Sequence, residues 1–136
     1  MPRNPRYDIL FVPMRIGPKL AKNRFFRGSH ASGKTNATPH VPVAIRGMKA
    51  ESGWGVVGTG AYSLDPSSDD YPFSCATLWD EEDVRADAVM TDAVHAHRAP
   101  AGVELWHGGA AVRAERAGRN APFAPRDFDM PAQAAQ

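Results

Sequence analysis

Apolar residues in this chain come in short runs, and Gly or Pro interrupts them in most of the first 75 residues. "YDILFVP", Tyr7 to Pro13, is an apolar run stopped by proline. "MRIGPKLAKNRFF" alternates on either side of Gly17-Pro18, the pattern of two short strands joined by a turn. "NRFFR" predicts a strand that runs straight into Gly28-Ser29-His30. From Val41 to Ser52 the spacing of Val41, Ala44, Ile45 and Met48 predicts a helix, with Pro42 in its first turn, where a missing N–H costs nothing. Val56-Val57 within "GWGVVGTGAYSL" predicts a short buried strand that leads into a polar loop, "DPSSDDYP". The clearest helix is Asp80 to Arg98. Asp80 is placed to cap it, and Glu81, Glu82 and Asp83 complement the dipole of its first turn. Val84, Ala88, Met90, Thr91, Ala93 and Val94 are its expected apolar face, and His95, His97 and Arg98 close it. "PAGVELWHGG" then predicts a strand that breaks into Gly-Gly.

The order is hairpin, strand, helix, strand, helix, strand. Alternation of this kind predicts βα units on a parallel sheet. Right-handed crossovers put the C-terminal strand ends on one side, where ligands bind in parallel sheets. Those ends fall near Gly28–Ala31, Thr59–Ala61 and Glu104–His107, and they carry small residues where backbone can approach a flat ligand.

Composition narrows the classes. Hydrophobic content is 43% and charged content 23%, as in ordinary globular chains. A net charge of +1 with dispersed Arg and Lys argues against nucleic acid or an acidic membrane as partner. The one cysteine, Cys75, excludes an internal disulfide and a cysteine-rich metal site. No apolar run is long enough for a membrane span, and "MPRNPRYD" has no apolar signal core, so a cytoplasmic protein is expected.

"GSHASGKT", Gly28 to Thr35, fits the phosphate-loop pattern G-x-x-x-x-G-K-[ST]. That motif needs a helix starting at its lysine so that backbone N–H groups face the phosphates. Pro39 and Pro42 oppose a helix that starts at Lys34 and runs on. A nucleotide binder through Gly28–Thr35 stands as an alternative. Trp54, Trp79 and Trp106 are expected to pack, and His40, His95 and His97 to be solvated.

"ILFVPMRIGPKLAKNRF" resembles the opening signature of Old Yellow Enzyme-type flavin oxidoreductases. "MKAESGWGVVGTGAYSLDPSSDD", "LWDEEDVR", "MTDAVHAH" and "AGVELWHGG" resemble the trimethylamine-dehydrogenase-like branch of that family, and the likeness runs from Asn4 to Gly109. The resemblance implies the hairpin and first three βα units of a (β/α)8 barrel over residues 4–112. A polar Pro/Ala-rich tail or loop, 113–136, follows them. It implies FMN at the strand ends, contacted by Gly28, Ser29, His30 and Ala31 after the first strand, Ala61 after the second and Glu104 after the third. A carboxylate at Glu104 would accept from the flavin N3–H. The family branch bonds a cysteine to the flavin at the position of Ala31; alanine has no nucleophile, so the FMN is expected to be non-covalent. Ala61 replaces an aromatic of the substrate cage, leaving room for an amine other than trimethylamine.

A complete barrel takes about 200 residues or more, and this chain supplies three of its strands. The family's substrate-activating residues and 4Fe-4S cysteines have no counterpart in the sequence. The expected function is amine oxidation with hydride transfer to flavin, in a truncated chain. A small-molecule amine is the expected substrate, and the missing barrel half or a homo-oligomer the expected partner. A non-catalytic fragment or subunit of a split barrel is the other alternative. Alone, such an arc leaves a sheet edge unpaired and is expected to fold poorly.

Overall fold

The computed structural model describes residues 4–30, 38–66, 68 and 75–108. A 3-10 helix, Pro5–Phe11, opens them, capped by the Asn4 side chain, which accepts from the Arg6 N–H. The predicted hairpin follows as β1 (Met14–Ile16) and β2 (Lys19–Ala21), antiparallel with Met14 opposite Ala21. Gly17 turns the chain at φ +54°, a conformation that glycine adopts without strain.

Three strands then run parallel. β3 (Phe26–Arg27) pairs with β4 (Val56–Ser63), and β6 (Ala101–Trp106) pairs with the other edge of β4. A two-residue strand, β5 (Ala76–Thr77), adds to the end of β4 through Tyr62 and Ser63. α1 (His40–Glu51) links β3 to β4, and α2 (Glu81–His95) precedes β6. This is the predicted alternation, with β4 longer than Val56-Val57 alone suggested.

Both helices lie on one face of the sheet. Val57 and Ala101, opposite each other in register, pack with Ala50 of α1, Met90 and Val94 of α2, and Ala99; Val43 and Trp54 close the cluster. The helices meet closely at Gly47: a Cβ there would stand in ordinary contact, 3.5 Å, with the Ala93 Cβ.

The faces turned inward are the expected ones only in part: Met90, Ala93 and Val94 of α2 pack as expected, and other expected positions do not. On α1, Ala44 and Met48 are exposed, and the buried positions are Arg46 and Ala50 with Val43 and Gly47 beside them. On α2, Val84 is 54% exposed and Ala88 is also exposed; the inward row is Asp83, Asp87, Met90 and Val94. Helical spacing was right in both, but the rows that pack include polar residues with partners on β4 and β5. Tyr62 donates to the Asp87 Oδ1 at 2.6 Å, and the Thr77 hydroxyl donates to the Asp83 Oδ1 at 2.9 Å. Asp80 caps α2 as predicted, accepting from the N–H groups of Glu82 and Asp83 at 2.8 and 3.0 Å.

At the N-terminal end of the strands, Phe11, Phe25 and Trp54 stack edge to face, with centroids 5.1 and 6.5 Å apart. Lys22 ties this end together. Its Nζ donates to the carbonyls of Ala50 and His97, both at 2.9 Å, at the end of α1 and in the turn after α2.

Candidate functional site at the strand ends

Residues in register on neighbouring parallel strands share a face, and alternate residues along a strand share it too. Val57 and Ala101 face the helices, so Gly58 and Gly102 face away from them. A register shift between Gly58 and Ala61 inserts one extra residue into β4. Beyond it Ala61 stands opposite Glu104, again on the face away from the helices, while Tyr62 turns to Asp87.

Thr59 repairs the shift. Its hydroxyl accepts from the Glu104 N–H at 3.3 Å and donates to the Gly60 carbonyl at 2.7 Å. The Glu104 carboxylate is half-buried and has no partner among the described residues.

The stretch after β3 lies against β4. His30 N–H donates to the Thr59 carbonyl at 3.0 Å. Gly58 has no side chain because none fits: a Cβ would meet the Ser29 nitrogen and Oγ at 2.7 Å and the Arg27 carbonyl at 3.0 Å. A Cβ on Gly28 would meet only the edge of the Phe26 ring, at 4.0 Å, so open space adjoins that residue. Gly28, Ser29 and His30 therefore sit beside Thr59, next to the Ala61–Glu104 pair. Of the residues read from the sequence as site candidates, these five are brought together; Ala31 lies outside the described residues, as do Gly33, Lys34 and Thr35 of the phosphate-loop pattern. α1 begins at His40 after a bend and turn at Thr38 and Pro39, so it does not run back to Lys34. The tail 113–136 is likewise outside them.

Thr59 was placed at a strand end by the sequence, but its bonds across the shift were not read from it. One residue near these ends escaped the sequence reading altogether: Arg46 of α1, 2% exposed, whose Nη2 donates to the His30 carbonyl at 2.7 Å. Burial, then the neighbouring Arg27 guanidinium, holds Arg46 below the usual arginine range. Burial, then the hydrogen bond to Asp87, pushes the Tyr62 hydroxyl above the usual tyrosine range. Burial raises Asp87 as well, and the Tyr62 hydrogen bond opposes that rise. The sequence signal for Arg46 was weak: one cation in line with Val43, Gly47 and Ala50.

A planar ring with N–H and C=O groups on one edge fits these residues. Gly28, Ala61 and Gly102 carry little or no side chain on this face, Gly58 lets Ser29 lie close against β4, and the Glu104 carboxylate, without a partner among the described residues, supplies an acceptor at its border. Among the described residues no cluster of His, Cys, Asp and Glu is arranged to hold a metal, and no helix is long and apolar enough to cross a membrane.

Comparison with known proteins agrees with this geometry. The chain is 44% identical over 109 residues to a dimethylamine dehydrogenase of Hyphomicrobium sp. (strain x), an alignment covering 80% of this chain and 15% of that protein. The structure matches histamine dehydrogenase from Rhizobium sp. 4-9 with a TM-score of 0.81 and 38% identity, over 91% of this chain and 19% of that one. It matches the old yellow enzyme homologue from Zymomonas mobilis with a TM-score of 0.69 and 26% identity, over 90% of this chain and 34% of that one. The chain thus spans about a sixth of the amine dehydrogenases it resembles, and its described residues have the fold of the N-terminal part of a (β/α)8 barrel, the hairpin, two βα units and the strand of the third. Residues 9–136 match the family model described as NADH:flavin oxidoreductase / NADH oxidase, and the chain belongs to that family.

Proposed function

We propose that this chain is the flavin-gripping portion of an FMN-dependent oxidoreductase that oxidises amines. The observation that carries the reading is the pairing of Ala61 with Glu104 in register, beside Gly28, Ser29 and His30 at the end of β3. Bound FMN would supply the hydride acceptor. Glu104 would accept from the N3–H at the pyrimidine edge, and Gly28, Ser29, His30 and Ala31 would line the ring. Ala61 would leave space between ring and substrate. Ala31 has no nucleophile for a covalent link, so the FMN is held by contacts alone. Two relatives named for the dehydrogenation of dimethylamine and of histamine support an amine as substrate.

No residue of this chain is assigned to the chemical step. One cysteine cannot ligate a 4Fe-4S cluster, which takes four thiolates, so no cluster is proposed on this chain. The outer edge of β6 has no partner among the described residues, and Val103 and Leu105 beside it are exposed, which supports completion of the barrel by further barrel strands. A cytoplasmic location belongs to the same reading.

The test is uptake of FMN, followed by quenching of flavin fluorescence, in the wild type and in Glu104→Gln and Glu104→Leu. The wild type takes up flavin. Glu104→Gln keeps an acceptor and stays close to it, while Glu104→Leu loses about tenfold in affinity, the worth of one hydrogen bond to a charged group. A wild type that leaves flavin fluorescence unchanged refutes the reading.

A further inference from the structure

Arg46 is an expensive residue to bury. It is 2% exposed, it makes one hydrogen bond, and its Nε and Nη1 find no partner among the described residues. A buried cation with unused donors is disfavoured against an apolar side chain of the same volume, so stability gives no reason for it in a row that otherwise reads Val43, Gly47 and Ala50. What Arg46 does hold is a single carbonyl, that of His30.

That carbonyl is at the mechanical weak point of the strand ends. β3 has only two residues in register with β4, Phe26 and Arg27, and beyond them the His30 N–H to Thr59 is the backbone tie to β4. The Arg27 side chain reaches the Gly28 carbonyl through its Nη1. Two guanidinium groups therefore take the carbonyls of Gly28 and His30, one from β3 and one from the helix behind it. In a trans peptide the N–H of the next residue points opposite to the carbonyl. The Ser29 nitrogen is accordingly found on the face away from the helices, 2.7 Å from where a Gly58 Cβ would stand.

We propose that Arg46 is a positioning residue of the flavin-facing strand end: by holding the His30 carbonyl toward α1 it fixes the peptides that line the ring. The proposal rests on the flavin reading above for its purpose, but its geometry stands apart from it. A single contact to a carbonyl also means that a lysine, with charge and donor kept, serves in part where a methionine does not.

The experiment compares Arg46→Met and Arg46→Lys with the wild type by amide hydrogen exchange at His30 and at Val57, followed by FMN titration with visible circular dichroism of the bound flavin. Val57 donates to the Pro100 carbonyl within the core and reports global opening. Arg46→Met speeds exchange at His30 by about tenfold or more while Val57 is unchanged, which is the mark of local release. It also weakens FMN binding and alters the flavin dichroism, and Arg46→Lys recovers a large part of each. Unchanged exchange at His30 in Arg46→Met overturns the proposal. So does equal acceleration at His30 and Val57 in both variants, which assigns Arg46 to packing alone. A wild type that takes up no flavin defeats the flavin reading, and the exchange comparison still decides whether Arg46 holds the peptide.

Discussion

Gly58 and Gly102 stand opposite each other on β4 and β6, yet a methyl group should have very different effects at the two positions. At Gly58 it would lie 2.7 Å from the Ser29 nitrogen, 2.7 Å from the Ser29 Oγ and 3.0 Å from the Arg27 carbonyl oxygen. The hydroxyl can rotate away, but the other two atoms are backbone. Relief requires β3 and the residues after it to move several tenths of an ångström off β4. The ties lost in that movement are the pairing of Phe26 and Arg27 with Val56 and Val57 and the His30 bond to Thr59. Overpacking against backbone costs about 1–3 kcal/mol, and two rigid partners put Gly58→Ala at the upper end, about 3 kcal/mol. At Gly102 the nearest atom would be the Gly58 Cα at 4.0 Å, an ordinary contact. Gly102→Ala then changes stability by less than about 1 kcal/mol, with the lower entropy of the unfolded chain in its favour. Thermal unfolding of the purified protein measures the difference, and 3 kcal/mol corresponds to a fall of about 10 °C in Tm for a domain near this size. Equal melting temperatures for the two variants would show that β3 is not seated on Gly58, and the close approach that shapes the site would be wrong.

Lys22→Met tests the tie at the other end of the strands. Losing donors to Ala50 and His97 should cost about 1–2 kcal/mol, a modest figure because the ammonium is only partly buried; urea unfolding with an unchanged midpoint would count against it. Asp87→Asn tests the buried pair with Tyr62. Because burial raises the Asp87 pKa, the folded chain binds that proton more tightly than the unfolded chain, whose aspartate titrates near 3.8. Wild-type stability should therefore rise as pH falls from neutral toward the raised value, with the gain complete below the unfolded one. Asparagine keeps an acceptor for the Tyr62 hydroxyl and carries no charge, so Asp87→Asn should flatten that part of the profile and be no less stable at neutral pH. Melting temperatures across the acidic range decide it: a variant with the slope of the wild type removes Asp87 as the source.

The order of elements was legible because each carries a local signal. Gly17-Pro18 makes the hairpin turn, Asp80 caps α2, and Pro42 is accepted in the first turn of α1. Which face of each helix turns inward was legible only in part, through Met90, Ala93 and Val94 of α2. Val84, Ala88, Ala44 and Met48 satisfy the period of a helix as well as the residues that do pack. The choice between two rows of one helix is made by the neighbours, here by Gly47 meeting Ala93 and by Tyr62 and Thr77 offering hydroxyls to Asp87 and Asp83. A carboxylate such as Asp87, which pairs with a strand residue 25 positions away, looks in sequence like one that faces water. β5 was missed for a simpler reason, since two residues give no period to read.

The site followed the same division. The three strand ends around Gly28, Ala61 and Glu104 were found because parallel strands of a βα alternation must end on one side, and the family resemblance then singled out these residues within them. That reasoning gives positions along strands but no register. The extra residue between Gly58 and Ala61 is what turns Ala61 toward Glu104; without it Gly60 would stand opposite Glu104, Ala61 would face α2 and Tyr62 would lie on the open face opposite Trp106. Nothing in "GTGAYS" announces the shift except its two glycines and the threonine whose hydroxyl mends it. A one-residue irregularity thus puts Ala61 rather than Gly60 opposite Glu104 and turns Tyr62 to Asp87 instead of setting it opposite Trp106, which makes Thr59, a residue that touches neither ring nor substrate in the proposed arrangement, a determinant of how much room the site has.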